Sequence, residues 1–238
     1  MSRCKKHEAC PRCRDNGKDS RGDNLGVYED GGKHCFSCGY HEYPNINYRL
    51  MPKVDHGPKN LLPSDFIREV PSHAWEWLLQ YGLPYTYWKR HCGYSPKEER
   101  LVFIVGDPIS FSIGRYVGTP GGITKKWYVW GDSHRHCEVI GTGEKVVLVE
   151  DIVSAHKVAQ VTTCIPLFGT VIHPCHLYFL LNTEKPIVLW LDKDQELNIR
   201  KKVLHLQSIL NRDIKVIITE KDPKCLSLDT IRELNETS

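Results

Sequence analysis

The run Ile187-Val188-Leu189-Trp190-Leu191 is apolar enough to form a strand buried on both faces, and it ends in Asp192-Lys193-Asp194. Side chains at i and i+2 of an extended chain share a face, so the two carboxylates should leave this strand on the same side. A second apolar run, Val146–Val149, also ends in an acid, Glu150. Two strand exits therefore offer three carboxylates, Glu150, Asp192 and Asp194. Mg2+ binds carboxylate oxygens together with substrate phosphates, and open α/β sheets hold ligands at the carboxyl ends of their strands. The pattern predicts metal-dependent phosphoryl-transfer chemistry.

A second constellation lies near the N-terminus. Of ten cysteines, Cys4, Cys10, Cys13, Cys35 and Cys38 fall within the first 38 residues, and the last four form a C-x2-C…C-x2-C pattern with 21 residues between the pairs. Two thiolates on each of two tight turns can surround Zn2+ tetrahedrally, and four protein ligands leave no open position, so the zinc is expected to be structural. Asp23–Tyr28 and Gly32–Phe36 are candidate strands around a Glu29-Asp30-Gly31-Gly32 turn, as a zinc ribbon requires. Cys4 and His7 continue the spacing upstream, which leaves open whether either enters the site. The scattered Cys92, Cys137, Cys164, Cys175 and Cys225 are expected to be ordinary thiols.

These residues need elements to position them. Residues 44–63 carry Pro44, Pro52, Pro58 and Pro63 with few apolar positions, the composition of a flexible linker. A helix is expected over Ser72–Tyr81, with Trp75, Leu78 and Leu79 inward and Gly82 ending it. Strand-like runs follow at Leu101–Val105, Ile109–Ile113, Gly114–Val117 and Lys126–Trp130, placing Arg115 and Lys126 among aromatics where they suit phosphates. From residue 144 strand and helix alternate: strands near Val146–Val149, Cys164–Leu167, Ile187–Leu191 and Lys215–Thr219, helices over Ile152–Gln160, Pro174–Leu181, Glu196–Leu210 and Ser227–Leu234. This is the pattern of a modest open α/β sheet. Lys221 and Asp222 follow its last strand.

The 238 residues suffice for a sizeable core. Net charge is +3, and the basic excess lies in residues 1–60, a weak pointer to nucleic acid. No apolar run is long enough to cross a membrane, and no hydrophobic leader follows Met1, so a cytoplasmic location is expected. No dinucleotide fingerprint or phosphate-loop motif is present.

In chain order, the cysteine ribbon, the basic β-rich segment, a Glu at one strand end and Asp-x-Asp at another resemble the primase half of bacteriophage primase-helicases and, more distantly, bacterial primases. The C-terminal part resembles the Toprim fold shared with type IA and type II topoisomerases. The matching pieces are the two cysteine pairs, Val149-Glu150-Asp151-x2-Ser154-Ala155, Pro166–Thr170, Leu191-Asp192-Lys193-Asp194 and Lys221-Asp222-Pro223. Toprim proteins commonly have Gly after the glutamate and Asp three residues later, where this chain has Asp151 and Ser154. Gln195 also replaces a frequent small residue after Asp194.

The resemblance implies an α/β architecture: a zinc ribbon over 1–43, a linker over 44–63, a mixed α+β basic primase subdomain over 64–143 and a Toprim open sheet over 144–238. It implies RNA primer synthesis on a single-stranded DNA template from ribonucleoside triphosphates. Glu150, Asp192 and Asp194 would hold catalytic Mg2+ or Mn2+, and Asp222 would orient a second ion through water. Arg115, Lys126 and Lys221 would face template and nucleotide; Cys10, Cys13, Cys35 and Cys38 would hold structural Zn2+. No Walker A sequence is present, so the expectation is a free-standing primase working with a separate replicative helicase and a DNA polymerase, in the host cytoplasm if phage-encoded. The competing classes are a Toprim-type metal-dependent nuclease and a catalytically inactive replication scaffold.

Overall fold

The computed structural model describes residues 4–29, 31–42, 60–119, 125–192 and 196–237, with the backbone alone for 41, 192 and 196–198. The chain forms two compact units, residues 1–57 and 58–238. Of the 44–63 linker, residues 44–59 lie outside the described residues.

The first unit is a four-stranded antiparallel sheet in the order β1-β2-β3-β4, built from β1 (Cys4–Glu8), β2 (Leu25–Tyr28), β3 (Lys33–Cys35) and β4 (His41–Glu42). The short helix α1 (Pro11–Asp15) begins inside the first cysteine pair, with Pro11 at its first position, where the missing amide costs nothing. The strand β1 was not expected from the sequence. It carries Cys4 and His7 on an edge strand, and neither belongs to the group formed by the cysteine pairs. Leu25 and Tyr40 pack with Cys10, Cys13 and Cys35, so the small core is the cysteine cluster itself.

The second unit opens with α2 (Ser72–Leu79) and α3 (Tyr85–Trp88). Ala74 and Leu78, four residues apart, form the buried stripe of α2, whereas Leu79, expected to face inward, is exposed. An antiparallel meander follows: β5 (Cys92–Ser95), β6 (Arg100–Val105), β7 (Phe111–Tyr116) and β8 (Trp127–Gly131). The two short runs expected on either side of Gly114 are one strand. A Cβ at Gly114 would come within 2.6 Å of the Trp130 ring, so glycine lets that indole lie on the strand.

The C-terminal sheet is parallel, in the order β10-β9-β11-β12, from β9 (Val146–Val149), β10 (Thr163–Pro166), β11 (Ile187–Asp192) and β12 (Ile214–Thr219). Its helices are α4 (Ile152–Val158), α5 (Pro174–Leu181), α6 (Glu196–Leu210) and α7 (Leu228–Thr237). Alternation along the strands sorts the two faces. Val146, Leu148, Leu189 and Leu191 pack with Leu180, Ile199 and Leu206 from α5 and α6. Val147, Val149, Val188 and Trp190 pack with Ala155, Val158 and Ile231 from α4 and α7. Burial on both faces explains why these strands read as continuous apolar runs.

Ile152 and Val153 at the start of α4 belong to the same buried cluster as Leu78, Trp88, Phe103 and Phe111. The antiparallel meander and the parallel sheet therefore share a core. The Ser112 hydroxyl donates to the Leu61 carbonyl at 2.6 Å, tying the entry segment to β7.

Candidate active site

In the parallel sheet the chain runs from β9 outward to β10 on one side, then returns to β11 on the other side of β9. The reversal makes the crevice between the carboxyl ends of β9 and β11 a topological switch point, the place where such sheets bind ligands. Glu150 follows β9 directly, Asp192 ends β11, and Asp222 follows β12, whose Thr219 pairs with Asp192. Asp194 lies outside the described residues, and Asp192 is placed by its backbone alone.

A cavity of about 570 Å³ opens at these strand ends, within the size range of small-ligand sites. Glu150, Asp151 and Asp222 line it on the side of the parallel sheet, and Arg115, Lys126 and Trp127 on the side of the meander. Trp77 and Tyr81 from α2 and its exit, with Phe168 and Gly169 after β10, complete the walls. Four residues singled out from sequence, Arg115, Lys126, Glu150 and Asp222, thus meet in one cavity. Lys221 is exposed and does not line it; Lys224, three residues on, does.

Each side chain is held by local structure. Arg115 lies opposite Trp127 in the β7–β8 register, and its guanidinium is 5.1 Å from the Trp77 ring and 5.6 Å from Trp127. Burial lowers its pKa from the ordinary arginine value. Beneath it, the buried Arg100 guanidinium donates to the carbonyls of Gly114 at 3.2 Å, Lys125 at 2.8 Å and Lys126 at 3.5 Å. One buried arginine thereby fixes the backbone beside both cavity cations. Arg100 had no distinguishing signal in the sequence.

On the acidic side, Asp151 caps α4. Its Oδ1 accepts the amides of Val153 at 2.8 Å and Ser154 at 3.0 Å, and its Oδ2 accepts the Ser154 hydroxyl at 2.8 Å. Asp151 and Ser154 are the positions where the chain departs from the Toprim pattern, and together they form a helix cap. The Lys224 ammonium reaches Asp151 Oδ2 at 2.9 Å and also bonds Asp222 Oδ2. Burial would lower the Lys224 pKa, but Asp151 and Asp222 outweigh it and hold the group above the ordinary lysine value.

The Glu150 carbonyl accepts the Gly169 amide at 3.0 Å, which joins the β9 exit to the loop after β10. In that loop Phe168 has φ 54°, a left-handed conformation uncommon for a bulky residue, and its ring meets Phe111 edge-on at 4.8 Å. From α6, the Lys202 ammonium is buried with no hydrogen-bond partner among the described residues. Burial lowers its pKa while Glu150 raises it. Glu150 and Asp222 offer hard oxygen donors with cations around them, and among the described residues no three carboxylates of this site converge on one point.

In the first unit the sulfurs of Cys10, Cys13, Cys35 and Cys38 all lie within 4.8 Å of one another, with Cys10–Cys38 at 3.6 Å and Cys13–Cys35 at 3.7 Å. A tetrahedron with Zn–S bonds of about 2.3 Å has S–S edges of roughly 3.8 Å, so the cluster could hold zinc. Cys4 and His7 stand outside it: the Cys4 sulfur is 3.7 Å from His7 Nε2, and His7 Nδ1 is 3.0 Å from the Asp23 carbonyl. Asp19 shapes the loop by accepting the Cys10 amide at 2.7 Å and the Gly22 amide at 3.0 Å. Burial pushes the Cys13 thiol up to about 12. Phe36, 62% exposed, lies between the rings of His7 at 6.0 Å and His34 at 5.0 Å.

No helix among the described residues is long and apolar enough to cross a membrane. No protein-family description matches the chain, and no curated protein does. Among solved structures, the chain is similar to the primase fragment of the bacteriophage T7 primase-helicase protein, at 13% identity over 99% of this chain and 99% of that one, with a TM-score of 0.46.

Proposed function

We propose that this protein synthesises RNA primers on single-stranded DNA by metal-dependent nucleotidyl transfer. The observation that carries the reading is the cavity itself, lined by Arg115 and Lys126 on the side of the meander and by Glu150 at the exit of β9. A nucleoside triphosphate needs cations for its phosphates and carboxylates for its accompanying metal; Arg115 and Lys126 would supply the first, and Glu150 with Asp192 and Asp194 the second.

Glu150, Asp192 and Asp194 are the residues that would hold a divalent cation, which when bound neutralises charge on the phosphate under attack. Arg115 and Lys126 bind the triphosphate tail and hold the α-phosphate in line with the 3′-hydroxyl of the preceding nucleotide. Trp77, Tyr81 and Phe168 restrict water in the cavity and strengthen these charge interactions. Pyrophosphate leaves toward the basic side. No side-chain nucleophile takes part.

The cysteine cluster holds structural zinc in this reading, and the exposed Phe36 offers a flat face on which an unstacked template base can rest. A replicative helicase and a DNA polymerase are the partners that such an activity serves.

Incorporation of labelled ribonucleotides on single-stranded DNA tests the proposal. Ribonucleotide-dependent oligomers of short length are expected. Cleaved DNA without oligomers would instead identify a nuclease, and neither product would leave a binding protein.

A further inference from the structure

Asp222 is not an open carboxylate. It follows the edge strand β12 and is paired with an ammonium from its own turn. Pro223 starts the 3-10 turn Pro223–Cys225, in which the Cys225 amide donates to the Asp222 carbonyl at 2.9 Å. Pro223 is buried, so the turn is anchored, and it carries Lys224 back toward the start of α4.

The Lys224 side chain is only 14% exposed. Its ammonium joins Asp151 and Asp222, with the Tyr81 ring centroid 6.0 Å away. Asp151 has little capacity left, since two amides, a hydroxyl and this ammonium already occupy its oxygens. Among the described residues, Glu150, Asp151 and Asp222 do not converge as a three-ligand cluster.

Two carboxylates gathered on one cationic centre, beside a first metal, is how two-metal sites hold their second ion. Here that centre is an ammonium. It supplies positive charge permanently, without exchange of a hydration shell, and its third hydrogen remains available to a phosphate oxygen. Displacing it would leave a largely buried lysine unpaired.

Resting on the nucleotidyl-transfer reading above, we propose that Lys224 is a built-in replacement for a second metal ion. The site then uses one divalent cation, held by Glu150, Asp192 and Asp194 in the parent reading, and Asp222 holds Lys224 rather than a metal.

The test counts ions directly. The zinc-loaded full chain is titrated with Mn2+, and free Mn2+ is read by electron paramagnetic resonance. Wild type is expected to bind one Mn2+ and E150Q none. K224M and K224Q should each bind a second, weaker Mn2+, which the double variant K224M/D222N loses again. K224R, retaining a cation, should bind one. Circular dichroism establishes which variants are folded.

Two Mn2+ bound by wild type would overturn the proposal whether or not the variants fold. A count of one in folded K224M or K224Q would overturn it as well. No Mn2+ bound by wild type would instead overturn the parent reading of Glu150 as a metal ligand, and the Lys224 proposal with it.

Discussion

Arg115 faces Trp127 across the β7–β8 ladder, and its guanidinium lies 5.6 Å from the indole ring. Trp77 flanks it at 5.1 Å, so this cation is held by two flat surfaces. Each such contact contributes about 0.5–1 kcal/mol, or more when desolvated. An ammonium has no planar face to stack. R115K should therefore keep the charge and lose the alignment, raising KM for nucleotide by about tenfold, equivalent to ~1.4 kcal/mol, with less effect on kcat. Steady-state rates across nucleotide concentrations check this; an unchanged KM would remove Arg115 from the nucleotide site.

The carboxylate assignment makes a separation of binding from chemistry. D192N and E150Q should retain binding to single-stranded DNA and lose nearly all primer synthesis, because each removes a metal ligand without removing a cation. D222N should be milder, since it loosens Lys224 instead. Fluorescence anisotropy and primer yield measured on the same preparations distinguish these effects. A folded D192N variant that keeps half the wild-type yield or more contradicts the assignment.

The cysteine cluster should hold about one Zn2+ per chain. The double variant C35S/C38S is expected to lose it and leave residues 58–238 folded, because the two units have separate cores. Elemental analysis and circular dichroism measure the two halves of this statement. Full zinc retention would exclude the ligand set.

Template choice is expected to reside in the ribbon. In the proposed reading the cavity contacts phosphate and sugar, which every nucleotide shares, whereas the exposed Phe36, in contact with the His7 and His34 rings, would offer a surface to bases. Deleting residues 1–43 should abolish preferred start sites while allowing some extension of a supplied oligoribonucleotide. Start-site mapping on a randomised single-stranded template decides the point. An unchanged preference would shift specificity to the meander around Arg115 and Lys126.

His156, buried on α4, accepts or donates at 2.7 Å with the Tyr87 hydroxyl, and burial followed by the neighbouring His91 holds its pKa down to about 3. The unfolded chain binds a proton here near pH 6.5 that the folded chain refuses. The contribution is therefore complete above pH 6.5 and is lost at about 1.4 kcal/mol per pH unit as pH falls toward 3. Urea midpoints between about pH 7.5 and 5 should fall more steeply for wild type than for H156Q. Parallel curves would show that His156 is not the group responsible.

The elements legible in the sequence are those with strong one-dimensional signals. Continuous apolar runs marked β9 and β11, and a helical pattern bounded by Glu196 and Leu210 marked α6. The strand β5 escaped because Cys92-Gly93-Tyr94-Ser95 has neither alternation nor β-branched residues; its place is set by pairing with β6. The candidate site was legible where residues follow strand ends, as Glu150 and Asp222 do in lining the cavity. Trp77 packs against the buried cluster and also walls the cavity, a double role that helical spacing does not display. Lys224 was missed in favour of Lys221 because only the turn begun by Pro223 decides which lysine swings inward. Arg100 was missed because its partners are backbone carbonyls, which a sequence does not display.

The strand order has a consequence for how the protein is made. β9 is synthesised first of its sheet but lies inside it, between β10 and β11. Until residues 187–192 leave the ribosome, the inner strand keeps one flank open, although the meander and the start of α4 can already pack together. The acidic half of the cavity is therefore assembled late in translation, after the basic half exists. A nascent chain stalled before Ile187 would leave β9 with an unpaired apolar edge, the kind of edge that other chains can add to.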